Sequence, residues 1–198
     1  MTLFPFYENI DDKWFLVVGG GTIAQEKIEK LKMFTDKIIV VALHTMIDGV
    51  DVIRKSFEDD DIRLGDYIIA ATSDKVLNRR ISLLCRIANK PCNVVDDPEL
   101  CTFFFPSMVK KGKLVVSIST MGASPAYAKR LRKDIEKTIP DNIEEILDRM
   151  AECRILVAAK VDDQKVRSRI YKRLLGIMMD SDKYVSNKEL EKIIEEEA

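Results

Sequence analysis

The chain is poor in the residues that build structural metal sites and disulfides. One histidine, His44, and four cysteines, Cys85, Cys92, Cys101 and Cys153, are spread over 198 residues without a Cys-x-x-Cys pair. A zinc site of Cys and His ligands is therefore not expected, and the thiols read as reduced and mostly buried, as in a cytoplasmic protein. Charge of one sign is also lacking: a formal net charge of -1 gives no general pull toward nucleic acid or an anionic membrane. Apolar runs are short and broken by charges, so no segment reads as a membrane span. The start, MTLFPFYENIDDKW, has no basic stretch leading into an apolar one, so no secretory signal is expected. Glycine is scarce, eight residues in all, yet Gly19, Gly20 and Gly21 are consecutive. Such a concentration asks what has to approach the main chain there.

What is present is an alternation of buried strands and amphipathic helices. Phe15 to Val18 is a short apolar run of the kind that forms a buried parallel strand. Ala24, Ile28, Leu31 and Phe34 then recur at helical spacing. Lys37 to Leu43 reads as a second strand, which completes a βαβ unit. Further strands are expected at Val52 to Phe57, Tyr67 to Ala71 and Cys92 to Val95, with a helix from Lys75 to Asn89. The acidic run Glu58 to Asp61 reads as a solvated loop or helix start. Beyond Lys110-Lys111-Gly112-Lys113 come a strand, Leu114 to Ser119, and a helix announced by Ser124-Pro125. From Asp141 only helical patterns follow: Ile143, Ile146, Leu147 and Met150 form one stripe, and Val166, Ile170, Leu174 and Met178 another. Ser186 with Glu189 is patterned as a capping box. The fold class is α/β, a Rossmann-like, mainly parallel sheet over residues 1–112, then a strand-helix connector over 113–140 and a helical domain over 141–198.

Gly19-x-Gly21-x-x-Ala24 lies between a predicted strand and a predicted helix. In that setting the spacing points to a dinucleotide: Gly19 for the tight turn, Gly21 for contact with a diphosphate, and Ala24 for close helix packing. The helix N-terminus would offer free N–H groups to the phosphates. The acidic residue that usually binds the ribose is missing, because Val41-Ala42-Leu43-His44 occupies its place and Asp36 lies at the wrong end of the strand. No arginine sits just there for a 2′-phosphate, so the residues do not choose between NAD and NADP. His44, alone at a strand end, reads as a surface residue.

Five motifs in order, Val17 to Ala24, Ala70-Ala71-Thr72, Cys92 to Pro98, Phe105-Pro106-Ser107 and Gly122 to Pro125, make residues 1 to about 150 similar to the sirohaem synthase N-terminal family. The resemblance implies an NAD-dependent oxidation of precorrin-2 to sirohydrochlorin, in some members with insertion of Fe2+ as well. It also implies an intertwined homodimer, with Leu114 to about Pro140 as the dimerisation region. The family's key aspartate falls on Asp96, where a carboxylate base would suit the loss of a hydride and a proton. The cofactor set implied is Gly19, Gly20, Gly21, Thr22, Ile23, Ala24, Val41 and Thr72. For the eight carboxylates of the substrate the candidates are Asn93, Thr120, Ser124, Lys113 and Arg130, the last two from the basic cluster Lys110 to Arg132. Phe103-Phe104-Phe105 is expected to pack mainly in the core. Relatives often carry serine and glycine where this chain has Thr120 and Met121. A reading from another class, a non-catalytic NAD(H)-sensing module, shares the glycine turn but has no need of the Asn93 to Pro98 or Ser119 to Pro125 segments. A helix-rich adaptor does not explain the glycines.

Overall fold

The computed structural model describes residues 2–181 and 184–197, in two compact units, 2–105 and 106–198. The first unit is built on five parallel strands: β1 (Phe15–Val18), β2 (Ile38–Val41), β3 (Asp51–Ile53), β4 (Tyr67–Ala70) and β5 (Cys92–Val94). They lie in the order β3-β2-β1-β4-β5. Helix α1 (Thr22–Lys32) follows β1, and α2 (Lys75–Ile87) follows β4. The strands are nearly all apolar because both faces are covered. Phe15 and Val17 pack with Ala24, Ile28 and Leu31 of α1, while Leu16 and Val18 pack with Ile81 and Cys85 of α2.

The third strand is shorter than its pattern suggests. Pairing stops at Ile53, and Lys55 turns back to the carboxylates of Glu58 and Asp61 at 2.8 and 2.9 Å. The acidic run then starts a 3-10 turn, Asp59–Leu64. Cys85, Cys92 and Cys153 are buried free thiols.

In the second unit, β6 (Ser107–Lys111) and β7 (Leu114–Ile118) form an antiparallel pair, with Gly112 at φ 51° in the turn. Strand β6 belongs to this unit because, among the described residues, its ladder is with β7. Helix α3 (Pro125–Thr138) is capped by Ser124, whose hydroxyl accepts the Tyr127 N–H at 3.2 Å. Helices α4 (Ile143–Lys160), α5 (Gln164–Ser181) and α6 (Asn187–Glu197) bury Ile146, Cys153, Ile170, Leu174, Met178, Leu190 and Ile193 in one cluster. The capping box at Ser186 and Glu189 is formed in both directions. Among the described residues, no helix is long and apolar enough to cross a membrane.

Candidate functional site

Register brings the ends of four strands to one edge. Val18 is level with Val41 and with Ala70, and Ala70 is level with Val94. The glycine turn, Ala42-Leu43, Ala71-Thr72 and Val95-Asp96 therefore leave the sheet side by side. The chain order reverses across β1, with β2 on one side and β4 on the other, and that is where open parallel sheets bind ligands.

Gly19 adopts φ 118°, and a Cβ there would sit 2.3 Å from the Ala71 carbonyl oxygen. Its N–H donates to the Val41 carbonyl at 2.9 Å. At Gly20 a Cβ would come within 2.5 Å of the His44 carbonyl oxygen and of Thr45. The turn is thus held from behind by the two neighbouring strand ends. Gly21 differs: a Cβ there would meet nothing within 4 Å. It is the N-cap of α1, and no side chain caps the helix. Exposed Thr22 and Ile23 flank it, and Ala24 is fully buried against the sheet. An open glycine and uncapped N–H groups at a helix start fit a diphosphate.

Two expected cofactor residues contribute differently from the glycines. Val41 is buried on the α2 face, so its part is the carbonyl that holds Gly19. The Thr72 hydroxyl donates to Asn78 Oδ1 at 2.7 Å, while Asn78 returns an amide N–H to the Thr72 carbonyl at 3.0 Å. This network fixes the β4–α2 turn next to Gly19. A residue that the pattern did not signal is Thr45, whose hydroxyl donates to the Gly20 carbonyl at 3.1 Å.

Asp96 stands two residues beyond the end of β5 at φ 58°, in the left-handed region that Asp tolerates better than most residues. It is exposed, and no hydrogen-bond or ion-pair partner closes on its carboxylate among the described residues. Its neighbour Asp97 is drawn instead toward Arg79 of α2, at 3.8 Å. Two strand spacings separate Asp96 from the glycine turn, about 10 Å. Cys101 ties down the loop that carries it: its sulfur accepts the Val94 N–H at 3.1 Å and donates to the Val94 carbonyl at 3.2 Å. Burial pushes the Cys101 thiol up, so it stays protonated and able to donate.

Asn93 is buried on the α1 face. Its amide donates to the Phe103 carbonyl at 2.9 Å, while its Oδ1 has no partner, alone among buried side-chain N and O atoms of the described residues. Phe103 and Phe105 pack against the core with ring centroids 5.7 Å apart. Lys27 of α1, which looks like a solvent-facing helix residue in the sequence, lies with its ammonium 4.7 Å from the centre of the Phe105 ring.

The remaining candidates lie in the second unit. Thr120 Oγ1 accepts the Ser124 N–H at 3.1 Å, which braces a turn with Met121 at φ 51°. Both hydroxyls keep an O–H to donate. Lys113 pairs with Asp148 at 2.7 Å, and Arg130 lies 3.9 Å from Asp134, both on exposed surface.

Known proteins match this architecture. Residues 6–107 match the family model described as "Putative NAD(P)-binding", and residues 111–138 match that described as "Sirohaem biosynthesis protein central". A siroheme synthase of Thioalkalivibrio sulfidiphilus is 37% identical over 183 residues, covering 88% of this chain and 37% of that protein. One from Nitrosomonas europaea is 35% identical over 184 residues, 88% of this chain and 39% of that protein. The chain thus spans about two-fifths of the length of these relatives. A solved structure of SirC, a precorrin-2 dehydrogenase, superposes with a TM-score of 0.70 at 24% identity, covering 98% of both chains, which establishes the shared fold. The chain belongs to the sirohaem synthase N-terminal family, and its first unit is an NAD(P)-binding domain.

Proposed function

We propose that this chain is an NAD-dependent precorrin-2 dehydrogenase of the cytoplasm that forms sirohydrochlorin. The observation that carries this reading is Asp96, an unpaired carboxylate held in a left-handed turn at the ligand edge, two strands from the open glycine turn. Bound NAD+ would accept the hydride. The chain's own work is to seat the diphosphate on Gly21, Thr22, Ile23 and the first turn of α1, and to take the proton at the Asp96 carboxylate. Precorrin-2 and NAD+ then give sirohydrochlorin, NADH and a proton, so the electrons balance. Iron insertion is the narrower addition: the same carboxylate would accept pyrrole protons as Fe2+ enters.

A homodimer through residues 113–140 is part of this proposal. Helix α3 packs on the β6–β7 pair, yet most side chains of these strands are only half-buried within one chain.

The test is anaerobic turnover of precorrin-2 with NAD+, followed by NADH formation and visible absorbance. Wild type is expected to give one NADH per sirohydrochlorin. Asp96→Asn, which suits the left-handed turn, is expected to lower kcat by about 100-fold or more with NAD+ affinity unchanged. Asp96→Ala would confound lost chemistry with backbone strain. Absence of turnover by wild type despite tight NAD+ binding would overturn the enzyme reading in favour of an NAD(H) sensor. Fe2+ added afterwards tests metal insertion against a protein-free control.

A further inference from the structure

Lys27 is a cation of the first unit whose surroundings are aromatic and apolar, with no anion on it among the described residues. It sits on α1 between buried Ala24 and Ile28 and is itself half-buried. Its ammonium rests on the Phe105 ring, which screens one side of it. Two half-buried lysines of this unit, by contrast, reach oxygen: Lys55 pairs with Asp61 at 2.9 Å, and Lys90 donates to the Ile62 carbonyl at 3.0 Å. Lys27 has no such oxygen partner among the described residues. Burial, with Lys30 adding to it, disfavours its charged form, while Glu26 and Asp96 act on it in the opposite sense. A second unmet polar atom belongs to the same layer, since Phe105 packs on Phe103, and Phe103 holds Asn93, whose Oδ1 lacks a donor. A half-buried ammonium without an anion is costly, and a site completed by its ligand removes that cost.

We propose that Lys27 is a substrate-anchoring residue whose ammonium receives a carboxylate arm of the tetrapyrrole beside Asp96. The proposal rests on the dehydrogenase reading above. The other anion at this edge is the dinucleotide diphosphate. That group belongs at Gly21, about 9 Å of helix rise before the Lys27 backbone, whereas the Lys27 ammonium is held over Phe105, so the carboxylate is the better match for Lys27.

Sirohydrochlorin and NAD+ are titrated separately and anaerobically into the full-length wild type, Lys27→Met and Lys27→Arg. Lys27→Met is expected to weaken sirohydrochlorin binding by about tenfold, to leave NAD+ binding within about twofold, and to flatten the salt dependence of tetrapyrrole binding. Lys27→Arg restores most of the affinity, because the positive charge is what the carboxylate needs. Lys27→Met is also expected to melt no lower than wild type, since it removes a poorly compensated buried charge. Unchanged sirohydrochlorin affinity in Lys27→Met overturns this inference and leaves the dehydrogenase intact. Loss of NAD+ affinity alone overturns it too, and makes Lys27 a phosphate ligand. Failure of wild type to bind sirohydrochlorin overturns both readings together.

Discussion

At Gly19 an added methyl group would enter the Ala71 backbone in a conformation that side chains avoid, whereas at Gly21 it would enter open space. The two glycines therefore separate folding from binding. Gly19→Ala is expected to destabilise the first unit by about 2–4 kcal/mol, read from a denaturant melt. Gly21→Ala is expected to cost at most about 1 kcal/mol of stability. It should nonetheless weaken NAD+ by about tenfold, because the methyl occupies phosphate space. Unchanged NAD+ affinity in Gly21→Ala would show that the turn serves packing alone.

Among the elements, α4 carries a buried polar joint. Arg149 is 5% exposed. It donates to the Val185 carbonyl at 2.8 Å, to Glu152 at 2.7 Å and to Asn187 Oδ1 at 2.8 Å, which ties α4 to the start of α6. Arg149→Met should cost about 2–4 kcal/mol, since it strands a buried carbonyl and an amide oxygen. The loss is expected in urea titration of the full chain, with the turnover of surviving folded protein unchanged.

The apolar alternation made four of the five parallel strands legible within a residue or two, and the Gly-rich turn marked the junction of β1 and α1. Three features were not readable, for physical reasons. Strand β6 has the composition Ser-Met-Val-Lys-Lys and exists through its pairing with β7, so no local pattern announced it. Lys27 matches a solvated helix face until Phe105, far along the chain, folds under it. Arg149 is one polar residue within an apolar stripe, and only the arrival of the Val185–Asn187 segment explains its burial.

For the whole molecule, the proposed homodimer would cover the half-buried β6–β7 ribbon and exposed side chains of the second unit such as Ile155, Leu156 and Tyr127. Sedimentation at micromolar concentration should give twice the chain mass. A species of single mass across that range would remove the homodimer from the proposal while leaving the dehydrogenase standing. The close approach of Gly19 to Ala71 also sets an order in time. Ala71 follows Gly19 by 52 residues, roughly 3–10 s of synthesis on the ribosome. Until then the nucleotide turn has no wall behind it, and Asp96 emerges later still. On the proposed reading, a growing chain therefore completes its cofactor seat before it owns the base that would work with it, and a dinucleotide would be the first ligand able to steady the nascent sheet.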